Sequence, residues 1–132
     1  MAHAVHVIDD DDAVRDSLGE IFACESITVA TYASALAFLE HVESLPPDYV
    51  LEADCVVTDV EMPKMSGIEL VRRLKVINAL VPVIVITARP SAALAADAVS
   101  AGAMNFLPKP LDDEALLTAV RSAFGIYDST RD

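Results

Sequence analysis

Short apolar runs rich in β-branched residues alternate along the chain with stretches of helical spacing. Val5-His6-Val7-Ile8 reads as a first strand, and Val14, Leu18, Ile21 and Phe22 then recur on one face of a helix. Residues 27–31 form a second strand candidate. Ser34 is placed to cap a helix carrying Ala35, Phe38, Leu39 and Val42. Residues 43–53, which include Pro46-Pro47, read as a loop. A third apolar run, Cys55-Val56-Val57-Thr58, ends at Asp59. Ser66 then caps a helix with Ile68, Val71 and Leu74 on one side. Pro82 opens a fourth strand, Val83-Ile84-Val85-Ile86, that ends in Thr87-Ala88. Residues 91–101 make an alanine-rich helix closed by Gly102. Met104-Asn105-Phe106-Leu107 is the fifth strand and runs into Pro108-Lys109-Pro110. Asp112-Asp113-Glu114 start the last helix, where negative charge suits the dipole.

Strand and helix thus alternate five times, which implies a parallel sheet covered on both faces. Right-handed crossovers leave few topologies open. The expected class is α/β: a flavodoxin-like (βα)5 three-layer sandwich with five parallel strands in the order 2-1-3-4-5. That order sets strand 1 beside strand 3, so Asp9 and Asp10 flank Asp59 at the point where the winding reverses. One domain is expected over residues 1–125, with 126–132 as a short polar tail or the start of a linker.

Composition narrows the functional classes. Of 132 residues, 54% are apolar, enough for a real core, and 21 acids face 9 bases for a net charge of −12. So acidic a surface argues against direct nucleic-acid binding and against an anionic membrane. No apolar run approaches the roughly 20 residues of a membrane span. The early acids speak against a secretory signal, and a cytoplasmic location is expected. Cys24 and Cys55 have no metal-like spacing, and an intracellular reading leaves them as thiols.

The chemistry lies where strands stop. In a parallel sheet those ends share one edge, and there the chain places Asp9 and Asp10, Asp59, Thr87 and Lys109. Crowded carboxylates repel one another, and a cation removes the conflict. An all-oxygen set without His or Cys suits Mg²⁺, or Mn²⁺, better than zinc. An ionised aspartate beside that cation can act as a nucleophile towards phosphorus, forming an acyl phosphate. Lys109 can contact phosphoryl oxygens as a mobile point charge, and Thr87 can donate its hydroxyl. Each residue alone also has a plain reading. Asp9 to Asp12 can be helix caps, Thr87 a turn residue, Lys109 a solvated charge. His6 is expected in the core or at a sheet edge, and His3 and His41 at the surface. The joint pattern at four strand ends outweighs the plain readings.

The motifs Val7-Ile8-Asp9-Asp10, Thr58-Asp59-Val60-Glu61-Met62-Pro63, Ser66-Gly67, Thr87-Ala88, Ala101-Gly102-Ala103 and Lys109-Pro110 resemble those of response-regulator receiver domains of two-component signalling. The resemblance covers Val5 to about Phe124, and its style is similar to receivers that precede LuxR-type helix-turn-helix output domains, the FixJ type. It implies that Asp59 takes a phosphoryl group from a sensor histidine kinase. It implies further that Asp10 and Asp59 bind Mg²⁺ directly, that Asp9 acts through water, and that the Glu61 backbone carbonyl completes the protein ligands. Lys109 contacts the phosphoryl group, and its bond to Pro110 is cis. Thr87 and the aromatic Phe106 turn inward as the switch, remodelling the surface of the fourth helix, fifth strand and fifth helix, through which a homodimer can form. Glu61 and Arg89 stand at positions that tune dephosphorylation in that family. Phe106 lacks the hydroxyl of the commoner Tyr, and Leu111 stands where Phe is more usual. The implied activity is a switch that phosphorylates and dephosphorylates itself, most readily one that controls transcription, rather than a turnover enzyme. Two alternatives are a phosphorylation-independent interaction module and a haloacid-dehalogenase-type phosphatase. The second wants an aspartate two residues after the nucleophile, where this chain has Glu61.

Overall fold

The structure, a computed structural model, describes residues 3–129. The elements are β1 (Ala4–Ile8), α1 (Asp12–Cys24), β2 (Thr28–Tyr32), α2 (Ala35–Glu43), a single 3-10 turn (Leu51–Ala53), β3 (Cys55–Asp59), α3 (Gly67–Ile77), β4 (Val83–Thr87), α4 (Ala92–Ala101), β5 (Asn105–Pro108) and α5 (Asp113–Ser129). All strand pairs are parallel, in the order β2-β1-β3-β4-β5. Every residue of β3 and β4 is buried, as central strands covered on both faces require. The outer strand β2 is only half-buried, with no regular alternation.

The pleat sorts side chains into two cores. Ile8, Val56, Val83 and Val85 pack on one face with Phe38 and Leu39 of α2, Leu70, Val71 and Leu74 of α3, and Ala98 of α4. Val5, Val7, Cys55, Val57, Ile84 and Ile86 face the other way, against Leu18 and Phe22 of α1 and Leu116, Leu117 and Val120 of α5. The helix starts follow their caps. Asp11 accepts from the amides of Ala13 and Val14, Ser34 from Ala37, Ser66 from Glu69 and Ser91 from Leu94. Gly102, at φ +108°, ends α4 in the left-handed region.

Three expectations are corrected. The second strand runs one residue later than 27–31, because its half-buried residues give no sharp edge to the pattern. The loop over residues 43–53 contains the 3-10 turn. The expected tail at 126–132 is helical as far as Ser129, and positions 130–132 lie outside the described residues. Tyr127 is buried, and His3 stacks on Phe124 with ring centroids 4.5 Å apart, so tertiary packing extends α5. His3 is therefore half-buried rather than a surface residue, and so is His41. Both cysteines are free thiols, and burial pushes the Cys55 thiol up to about 12.

Candidate functional site

Parallel strands carry their C-terminal ends to one edge, and the candidate residues follow from that. Asp9 and Asp10 come directly after β1, Asp59 ends β3, Thr87 ends β4 and Lys109 follows β5. β1 and β3 are paired neighbours, with Ile8 opposite Thr58. Oxygens of Asp9, Asp10 and Asp59 lie within 4.8 Å of one another. Asp9 and Asp59 are buried while Asp10 is exposed, so the cluster opens to solvent on one side.

Lys109 Nζ bridges the two buried acids, donating to Asp9 Oδ2 at 3.1 Å and lying 3.2 Å from Asp59 Oδ1. Apart from this ion pair with Lys109, Asp59 Oδ1 is buried with no hydrogen-bond partner. Burial and the neighbouring Asp9 charge push the Asp59 carboxyl up to about 6, against the pull of Lys109 and with a further push from Glu61. Burial opposes the Lys109 charge, but Asp9 and Asp59 outweigh it and its pKa is raised. Lys109 therefore stays a cation in the pocket. Its backbone amide donates to the Thr87 carbonyl at 2.7 Å, which fixes its position; the Lys109–Pro110 peptide is cis.

Asp9 is held tightly. Its Oδ1 accepts from the Asp11 amide at 2.9 Å, and its carbonyl accepts from Arg15 Nη1 at 2.6 Å. Thr87 is fully buried. Its Oγ1 donates to the Glu61 carboxylate, 2.8 Å from Oε2 and 3.0 Å from Oε1, and accepts from the Arg89 amide at 3.0 Å. The Ala88 amide also donates to Glu61 Oε1, at 3.3 Å. Phe106 is half-buried against the core on the α2–α3–α4 side.

A model of the response regulator receiver domain family matches residues 5–121. The chain belongs to that family. The receiver is 45% identical over 121 residues to transcriptional regulatory protein FixJ of Azorhizobium caulinodans, covering 92% of this chain and 54% of the relative. It is 32% identical over 130 residues to response regulator protein TodT of Pseudomonas putida, covering 98% of this chain and 55% of the relative. The crystal structure of FixJ-N superposes with a TM-score of 0.81 at 34% identity over 95% of each chain. The receiver spans about half the length of the curated relatives it matches.

Arg15 was not singled out by pattern, and Glu61 and Gly67 were named without the contacts they make. Arg15 lies one helical turn past the Asp11 cap, and its reach back to the Asp9 carbonyl leaves no sequence signature. The Glu61 carboxylate crosses from the β3–α3 loop to the end of β4. Gly67 begins α3 against the backbone of Asp59: a Cβ there would stand 2.1 Å from the Asp59 carbonyl oxygen. The motif Ser66-Gly67 was visible, but not its reason. Gly67→Ala must move either α3 or Asp59, and overpacking against backbone costs about 1–3 kcal/mol. Urea unfolding of Gly67→Ala is expected to show that loss, and acetyl phosphate should modify the folded fraction more slowly than wild type.

Proposed function

We propose that this receiver is a phosphoacceptor switch in which Asp59 takes a phosphoryl group from the phosphohistidine of a sensor histidine kinase. The observation that carries the reading is Asp59 Oδ1: a buried oxygen whose partner is a fixed cation 3.2 Å away, where three carboxylates meet. In the transfer an Asp59 oxygen forms a bond to phosphorus as the phosphorus–nitrogen bond breaks. The electron pair stays on the imidazole nitrogen, which takes a proton from solvent. Lys109 stands beside the reacting oxygen and stabilises the charge on the phosphoryl oxygens, and Thr87 donates its hydroxyl to one of them. A groove of about 270 Å³, lined by Val14, Leu18, Ile21, Lys109, Pro110 and Leu111, adjoins Lys109 and supports access for a partner's histidine.

The donor set fits a hard divalent cation, Mg²⁺ or alternatively Mn²⁺: it is all oxygen, and one of its oxygens lacks any hydrogen-bond partner. Asp10 and Asp59 would hold the ion directly, with the Glu61 backbone carbonyl. Asp9, whose oxygens already serve Lys109 and Asp11, would act through water. When bound, such an ion supplies positive charge that offsets repulsion between the carboxylates and an incoming phosphate.

The chain phosphorylates and dephosphorylates itself and is no turnover enzyme; its output passes to a partner or a further segment. Inward movement of Thr87 and Phe106 would remodel the α4–β5–α5 face, on which Val99 is exposed, and a homodimer would form there. A phosphoryl group that moves the population from 1:99 to 99:1 must prefer one conformer by about 5.5 kcal/mol. The relatives' names point to control of transcription, and a cytoplasmic location follows from that proposed role; no described helix is long and apolar enough to cross a membrane. The phosphatase alternative is disfavoured, because Glu61 replaces its second aspartate and is turned towards Thr87.

Acetyl phosphate with Mg²⁺, followed by intact mass, tests the proposal. One phosphoryl group is expected on wild type and none on Asp59→Ala. An unmodified wild type, or a modified Asp59→Ala, would overturn it.

A further inference from the structure

Two donors at the end of β4, the Thr87 hydroxyl and the Ala88 amide, converge on one anion, and that anion belongs to the protein itself. The Glu61 carboxylate takes the hydroxyl proton of Thr87 through Oε2 at 2.8 Å and the Ala88 amide through Oε1 at 3.3 Å. Thr87 has one proton to donate, and Glu61 takes that bond, so its donor is committed while its oxygen accepts from the Arg89 amide at 3.0 Å. Glu61 lies only two residues past Asp59, and its charge is felt by Asp59, which places the carboxylate at the same pocket. Glu61 is itself exposed, so the side chain can leave for water without unfolding anything around it.

We propose that Glu61 is a built-in latch: its carboxylate occupies the place of a phosphoryl oxygen on Thr87 and Ala88 and must be displaced before a phosphorylated Asp59 can claim those donors. The inference rests on Asp59 being the phosphoacceptor. It goes beyond that reading by assigning the resting partner of Thr87 and a barrier to its release. The latch acts in two ways. It competes for two donors, and it adds a negative charge that an incoming phosphate meets. Removing either part raises the affinity for an anion on Asp59. It also frees Thr87 before the anion arrives, so the Thr87 and Ala88 environment of the unmodified protein must change as well.

Beryllofluoride, a phosphoryl analogue, separates the two parts when titrated with Mg²⁺ present. Binding to wild type, Glu61→Gln and Glu61→Ala is followed by the Ala88 amide resonance. Glu61→Ala is expected to bind about tenfold tighter, the weight of one net hydrogen bond. Glu61→Gln, which keeps an acceptor but not the charge, should fall between it and wild type. The initial rate of modification by acetyl phosphate should rise in the same order. In a Thr87→Ala background the gain from Glu61→Ala should shrink, because the competition for that hydroxyl is gone. Equal or weaker binding in Glu61→Ala, or a gain that persists undiminished beside Thr87→Ala, overturns the latch while leaving Asp59 as acceptor. A wild type that takes neither beryllofluoride nor phosphoryl overturns the acceptor reading, and the latch with it.

Discussion

Asp59→Asn takes up no phosphoryl group and, without divalent cations, unfolds at higher urea concentration than wild type above pH 6. Both effects come from one carboxylate. Its pKa is raised from an ordinary 3.8 to about 6, first by burial and then by Asp9. The folded protein therefore holds that proton more tightly than the unfolded chain. This contribution to stability is complete below about pH 4 and is lost as pH rises through about 6. At neutral pH the ionised Asp59 is a liability of about 1–3 kcal/mol in the metal-free fold, and the amide removes it. Lys109 loses part of its ion pairing in the variant, which trims the gain without reversing it, since Asp9 still accepts from Nζ. Urea unfolding from pH 4 to 8 is the measurement. Wild type should lose stability across that range, and Asp59→Asn should lose less. Addition of Mg²⁺ should then stabilise wild type more than the variant, as expected for a ligand that binds only the folded state. Parallel pH profiles for the two proteins would mean that Asp59 is not strained.

Much of this was legible along the chain, because the site is a property of strand ends. Four of the five strands stopped at or beside a residue with the relevant chemistry, and a parallel sheet leaves such residues no choice of edge. The Ser34 and Ser66 caps act through their own helices' first turns, so local spacing was enough to find them. What local spacing does not carry is a contact made between elements. Glu61 could be placed beside Asp59, yet the reach of its carboxylate to Thr87, 26 positions on, depends on how the β3–α3 loop lies against β4. Gly67 looked like an ordinary helix start, and only the approach of the Asp59 carbonyl shows why a side chain is excluded. The continuation of α5 through Tyr127 likewise depends on residues near the other end of the chain, His3 among them.

The deepest case is Asp54, which no local pattern marked and which is buried just ahead of β3. His6 Nε2 donates to its Oδ2 at 2.8 Å, the Ala4 amide donates to its Oδ1 at 3.1 Å, and Tyr49 donates its hydroxyl to Oδ2. A carboxylate only accepts, so the His6 proton sits on Nε2, and Nδ1 of a neutral ring accepts from Tyr32 Oη at 2.9 Å. Burial and the bond to Asp54 push the Tyr49 phenol up to about 12, so it remains a donor. Its partners lie 5, 48 and 50 positions away, beyond any local pattern.

Asp54→Ala is expected to destabilise the fold by about 3–5 kcal/mol, since each buried donor left without a partner costs about 1–3 kcal/mol. The loss arises because three donors remain behind. His6 is buried, its ring centroid 5.3 Å from that of Phe38, and Ala4 is half-buried at the start of β1. Asp54→Asn keeps one acceptor oxygen and should lose less, about 1–2 kcal/mol. His6→Phe in the Asp54→Ala background should recover part of the deficit, because it removes an unsatisfied donor along with its lost partner. Urea unfolding with an unchanged slope against denaturant reads all three. The cluster lies on β1 and β3 away from their C-terminal ends, so folded Asp54→Ala should still gain one phosphoryl group from acetyl phosphate. A loss below about 1 kcal/mol would mean that water replaces the carboxylate at this site, and that β1 is not anchored through His6.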